Sequence, residues 1–217
     1  MSDDGAPVAR IRMSAIVTNV RSAGVVAPVV DLRRDAYGHG LLATASALRA
    51  QTDAVLLVDD AAELVEFDRT VTAGSATLAP DVVFGWDRTL PAMTLVGTVL
   101  STKALHAGEG VSYGYIHRAP QDTRVALVTG GYAQGVVREL GNRAHVMIGG
   151  APHPIVGRVA MDVCVVDIGE APVARGDRAV FFGDDGPRVA DWARATGWRA
   201  DEIATAVGLR ARREETR

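Results

Sequence analysis

The chain of 217 residues contains one cysteine, Cys164, and one lysine, Lys103. A single thiol can form no internal disulfide, so nothing points to an oxidising compartment. Cys164 sits within Val163-Cys164-Val165-Val166, a setting for a small buried hydrophobe rather than a nucleophile. The scarcity of lysine excludes more. Every other Lys-or-Arg position is arginine, which stays protonated and can neither form an imine nor serve as an ordinary base. Amine chemistry therefore has one candidate in the whole chain. No apolar run approaches membrane-spanning length, and the acidic start Met1–Pro7 lacks an apolar signal core. A soluble, cytoplasmic protein without membrane association is expected. A net charge of −3 and a pI near 5.9 give no electrostatic case for nucleic acid or anionic lipid. His106, His117, His145 and His153 show no metal-binding spacing. Asp184-Asp185-Gly186 lacks the further oxygens of a calcium site and reads as a turn. No metal is expected.

What is present is 48% hydrophobic residues, enough to bury a sizeable core in one or two domains. Residues 9–21 begin as a short alternating strand, with Ser14 placed to cap a following helix. Strands are predicted at 25–32 and 54–58, a loop rich in turn residues at 33–40, and helices at 41–49 and 59–68. This βαβαβα rhythm signals parallel strands. It stops near Gly74, far short of the ~250 residues of a closed (β/α)8 barrel, and 75–91 reads as a connector. From Met93 the pattern changes to short strands at 93–100, 124–129, 144–148, 155–159, 162–168 and 178–182, separated by Gly, Pro, Asp and Asn. That spacing predicts an antiparallel barrel or sandwich. Two short helices, 189–195 and 201–206, and a charged frayed tail at 212–217 complete the chain.

Gly108-Glu109-Gly110-Val111-Ser112-Tyr113-Gly114-Tyr115 sets a tyrosine between glycines that permit a sharp turn and close approach to a ligand. A phenol has a free pKa of about 10, so Tyr113 exchanges protons near neutrality only with help from its surroundings. By itself the stretch fits a hairpin whose tyrosine packs.

In combination the motifs are specific. Tyr37-Gly38-His39-Gly40, the Gly-Val-Ser-Tyr-Gly loop, Gly131-Tyr132-Ala133-Gln134-Gly135 with Arg138, Gly157-Arg158-Val159-Ala160-Met161-Asp162, and Gly176 to Gly183 follow one another as in alanine racemases, which the chain resembles over nearly its whole length. The resemblance implies an α+β fold: a partial parallel βα unit (an incomplete TIM-like barrel) at 1–74, a connector at 75–91, and at 92–217 an antiparallel β-barrel domain of alanine racemase type. It also implies pyridoxal 5′-phosphate, held by a barrel lysine as a Schiff base and acting as an electron sink, and a dimer in which a tyrosine from the neighbour serves the opposite face of the substrate.

Carried over by residue, Tyr113 matches the catalytic tyrosine. Tyr37 matches a tyrosine against the cofactor phosphate, and Arg33 falls at the cofactor-bearing lysine. Met161 and Tyr132 match substrate-side positions. A guanidinium cannot replace the amine nucleophile. Gln134 replaces a usual aspartate, and Asp201 falls near a phosphate-binding tyrosine, where a carboxylate would repel phosphate. The barrel strands that would supply an arginine to the pyridine nitrogen are missing. Lys103, on the strand before the tyrosine loop, reads as solvated; His39 reads as holding its loop or capping the next helix; Arg138 and Arg158 read as pairing with carboxylates. The sequence thus describes an alanine racemase-like remnant that has lost standalone catalysis and dimerises. The alternatives are an active racemase of D- and L-alanine, or a subunit lending Tyr113 in trans to a full-length racemase in a heterodimer.

Overall fold

The computed structural model describes residues 6–216, without the side chains of Glu63 and Tyr113. β1 (Val8–Arg12) alternates as predicted, with Ala9 and Ile11 fully buried. It leads directly into α1 (Met13–Ser22), so Ser14 lies inside the helix and Arg12 takes the cap position without a side-chain bond. Buried Ala15, Ile16, Asn19 and Val20 recur at helical spacing and set α1's inner face. β2 (Val29–Asp31) is shorter than expected. α2 (Arg33–Gly38) replaces the predicted loop, and Arg34 to Tyr37 all have φ between 52° and 57°, one turn of the opposite hand. α3 (Leu41–Gln51), β3 (Val55–Leu57), β4 (Thr70–Val71) and α4 (Pro80–Phe84) follow. The helix expected at 59–68 is only a 3₁₀ turn at Ala61–Leu64, and the connector carries α4.

β2, β3 and β4 form a parallel three-stranded sheet, β3 central. β1 does not join it. An unpaired edge on β2 would expose backbone donors and acceptors; Thr77 covers it, its amide donating to the Val29 carbonyl (2.9 Å) and its hydroxyl accepting from the Val29 amide (2.9 Å). Asn19 bolts α1 to α4 and to the segment that follows it. Its amide donates to the carbonyls of Val83 (3.0 Å) and Leu90 (2.8 Å), and its oxygen accepts from Leu90 N–H (3.0 Å). A buried Asn is tolerated because its polar atoms are satisfied.

β5 (Met93–Leu105) begins the antiparallel part and runs five residues beyond the expected strand. The hairpin β6 (Gly110–Val111) and β7 (His117–Arg118) brackets Tyr113. Then come β8 (Thr123–Thr129), β9 (His145–Ile148), β10 (Ala151–Val156), β11 (Val163–Asp167) and β12 (Arg178–Phe182). β5, β8, β11, β10, β9 and β12 pair in sequence round a ring that closes between β12 and β5. Closure leaves none of these six strands as an edge of the ring, and register shifts at Val99/Ser101 of β5 and Val180/Phe182 of β12 supply the local bend. α5 (Val189–Thr196) seats Trp192 edge-on against Phe181 and Phe182, at 6.2 and 5.0 Å between ring centroids.

α6 (Ala200–Arg210) is longer than the predicted 201–206. The charged tail is not frayed. Arg212–Thr216 forms β13, pairing in parallel with β1, which itself pairs with β5. One contiguous core runs from Ala9 of β1 to Ala211 after α6, so the parallel sheet and the barrel share their hydrophobic interior.

Candidate functional site

Asp31 ends β2 as a carboxylate at the close of an apolar run, and it is 4% exposed. The Arg33 guanidinium donates to both its oxygens, Nε at 2.9 Å and one terminal nitrogen at 2.5 Å, and the Arg33 amide adds a third bond at 3.0 Å. The Tyr37 hydroxyl donates to the same carboxylate at 2.8 Å. Burial pulls the Asp31 pKa upward, but these bonds to its charged form outweigh it and leave the carboxyl below its ordinary value. Burial first, and then the bond to Asp31, push the Tyr37 phenol up to about 12. Tyr37 is therefore a neutral hydrogen-bond donor at physiological pH, and Arg33 a permanently charged clamp.

The opposite-handed turn brings these groups together. Four consecutive non-glycine residues with positive φ cost on the order of 1 kcal/mol each, so the turn must be braced. The Arg34 amide donates to Asp59 (2.7 Å), the Leu41 amide donates to Asp35 (2.7 Å), and Arg213 of β13 pairs with Asp35. His39 holds the far end, its Nδ1 2.9 Å from the Ala36 carbonyl and its ring stacked on Phe84. That is the loop-holding role expected of it.

Across from the turn stands the start of α6. Arg33, Arg34 and Tyr37 share with Arg199, Asp201, Glu202 and Thr205 a cavity of about 690 Å³. Arg199 grips Asp201 through two nitrogens, at 2.9 and 3.1 Å, and Arg34 lies 3.7 Å from the same carboxylate.

The other motif residues gather elsewhere. The Ser112 hydroxyl donates to the Arg158 carbonyl (2.6 Å) and accepts from its amide (2.9 Å), fastening the tyrosine loop to the Gly157-Arg158 turn. The backbone of Tyr113 lies in the 3₁₀ turn Tyr113–Tyr115, while its side chain falls outside the described residues. Tyr132 and Met161 meet through the main chain: Tyr132 N–H donates to Ala160 (3.0 Å) and Ala133 N–H donates to Met161 (2.9 Å). Gln134 bonds Asp162 at 2.9 Å, so its amide braces this junction. Arg138 lies over the Tyr132 ring, 4.0 Å from its centroid, in place of the expected carboxylate pairing. The cavity is thus lined by Arg33 and Tyr37 but by neither Tyr132 nor Met161, although Gly135, at the end of the Tyr132 turn, packs on Ala206 and Val207 of the facing helix, residues 200–210. Lys103 is exposed and lines a third hollow with Ser101, Val111 and Tyr115. Cys164 is buried, its thiol pushed up to about 12 by burial. Among the described residues no cluster could hold a metal ion, and no helix is long and apolar enough to cross a membrane.

Residues 92–215 match the family model described as alanine racemase, C-terminal domain. The chain belongs to the alanine racemase family. It is 48% identical over 121 residues to the alanine racemase of Mycobacterium ulcerans, a match covering 54% of this chain and 31% of the relative. It is 46% identical over 129 residues to that of Thermobifida fusca, covering 58% and 34%. The matches thus span about a third of the length of these curated relatives. The fold resembles the alanine racemase of Streptomyces lavendulae, with a TM-score of 0.85 at 20% identity, covering 99% of this chain and 98% of that one. It also resembles the Bartonella henselae alanine racemase solved with covalently bound pyridoxal phosphate, at a TM-score of 0.74 and 18% identity, covering 97% and 99%.

The residues present do not fit a covalently held pyridoxal phosphate. Among the described residues no amine lines the cavity beside Tyr37, the guanidinium at position 33 is committed to Asp31, and Asp201 sets a carboxylate in the same space. Sequence reasoning named Arg33, Tyr37 and Asp201 but missed Asp31, Arg34 and Arg199. A lone Asp in the run Val29-Val30-Asp31-Leu32 was the available signal, since a buried carboxylate requires partners.

Proposed function

We propose that this chain is an alanine racemase-like protein without standalone racemase chemistry, which acts by associating through its β domain with a second copy or with a full-length racemase. In this reading residues 1–74 are a barrel remnant, Tyr37 and Arg33 have become structural, and the chain works in the cytoplasm. One observation carries it: the Asp31 carboxylate holds Arg33 where the family places its imine-forming amine. Two short parallel ladders beside β3 supply too few strands to close a second barrel.

The purified chain, incubated with pyridoxal 5′-phosphate and reduced with borohydride, is expected to yield no lysine-linked pyridoxyl adduct and no alanine racemisation. An adduct on Lys103 accompanied by turnover would overturn the reading. Arg33→Lys is expected to leave racemisation undetected as well, because the residues of the missing strands stay absent; turnover in this variant would show that the shortened barrel suffices.

A second reading, a subunit offering Tyr113 and the substrate-side pair Met161 and Tyr132 to a partner's site, is favoured by the fastening of the tyrosine loop to Arg158. Complementation tests it. Mixing the chain with a full-length racemase whose own tyrosine is replaced by Phe should restore activity if the loop is lent in trans; unchanged inactivity in a mixture that forms the complex sinks it.

A further inference from the structure

The cavity between the opposite-handed turn and α6 contains three guanidinium groups, those of Arg33, Arg34 and Arg199, beside the phenol of Tyr37. Such a set would draw a phosphate, because planar guanidinium forks and a helix start both favour anions. Carboxylates of the chain already engage these groups, Asp201 and Glu202 from the cavity lining and Asp31 from its buried place at the end of β2. Asp31 takes Arg33 and Tyr37, and the Glu202 carboxylate accepts from the Arg199 amide at 2.9 Å. Asp201 is the central one. Its side chain is 15% exposed, lies in the first turn of α6, is gripped twice by Arg199 and stands 3.7 Å from Arg34.

We infer that Asp201 is an internal anion that occupies the guanidinium groups a phosphate-bearing ligand would need, and so closes this cavity to phosphates. Each cation is matched within the chain: Arg33 by Asp31, and Arg34 and Arg199 by Asp201. An incoming phosphate would have to displace a bound carboxylate and then sit beside it, a like-charge contact in a partly desolvated space. This goes beyond the loss of the imine, since a protein without that lysine could still hold pyridoxal phosphate by its phosphate alone.

The test compares the intact chain with Asp201→Asn, which keeps the side chain's shape and polarity while removing its charge. Thermal shifts and calorimetric titrations with inorganic phosphate, and separately with pyridoxal 5′-phosphate, are read against chloride at equal ionic strength. The intact chain should show no shift beyond the salt effect. Asp201→Asn should bind phosphate at least ~10-fold more tightly, a difference of about 1.4 kcal/mol, and Arg34→Ala added to it should reduce that gain. Equal phosphate binding by the intact chain and Asp201→Asn would overturn the inference, as would a folded Asp201→Asn that binds none. If Asp201→Asn fails to fold, Asp201→Ser, which retains a helix-start residue, carries the same two outcomes. Borohydride reduction stays a separate readout, so failure here is distinguishable from failure of the reading above.

Discussion

Taking the protein from pH 7 to pH 4 is expected to remove about 3 kcal/mol of folding stability through His39 alone. The imidazole is 1% exposed, stacks on Phe84 at 4.4 Å between centroids, and directs Nδ1 to the Ala36 carbonyl, while Nε2 is buried with no partner among the described residues. Burial is the main cause that pulls its pKa from the ordinary 6.5 down to about 4; the Ala36 carbonyl and Asp35 act the other way, and Arg213 adds to the lowering. Between those two values the unfolded chain binds a proton that the folded one refuses, so stability rises with pH through this window. The contribution is complete above about 6.5, falls as the pH drops towards 4, and is gone below. The gap between the two pKa values sets the magnitude. Asp31 adds a further loss at lower pH, because its folded pKa lies below 3.8. Urea unfolding at pH 7, 5.5 and 4.5 measures the slope. His39→Gln removes the titrating ring and should flatten it, and an unchanged slope in that variant would locate the acid sensitivity elsewhere.

The barrel was legible and the joints were not. Strands β8, β9, β11 and β12 were found within a residue or two because their own side chains alternate or run apolar between Gly, Pro and Asp, a local signal. Arg212–Thr216 has no apolar residue and every position is exposed, so no pattern within it could reveal a strand held by backbone bonds to β1. Asp59 and Asp60 looked like the acidic first turn of a helix. One instead receives the Arg34 amide and the other caps a turn of four residues. The opposite-handed turn was hidden for a stronger reason. Arg34, Asp35, Ala36 and Tyr37 all prefer negative φ, and only contacts from β13, α6 and the loop after β3 hold them otherwise. Likewise Arg33 at a lysine position was visible in the motif, but the Asp31 clamp that gives it a role depends on both residues flanking the end of a short strand.

Gly208→Ala is expected to destabilise the protein by about 2–3 kcal/mol, although the change favours helix α6 itself. Alanine is better than glycine in a helix interior by about 1 kcal/mol, so position 208 in an isolated helix would gain. Here a Cβ would stand 2.0 Å from the Gly38 carbonyl oxygen and 2.6 Å from its Cα. Both are backbone atoms of the braced turn, which cannot step aside as the end of a flexible side chain would. Gly38 faces the same restriction from the other side: its own Cβ would lie 3.0 Å from the Ala204 oxygen and from Gly208 Cα, and its φ of +79° favours glycine. Overpacking a well-filled interior costs about 1–3 kcal/mol, and rigid main chain on the opposing side places this site at the upper end, more than offsetting the helix gain. For a chain of this size the change corresponds to a fall in Tm of roughly 5–10 °C. Leu209→Ala, on the exposed face of the same helix, is the control and should shift Tm little. A rise in Tm for Gly208→Ala would mean that α2 does not rest on α6 in solution, and the approach of Arg34 to Asp201 would lose its support with it.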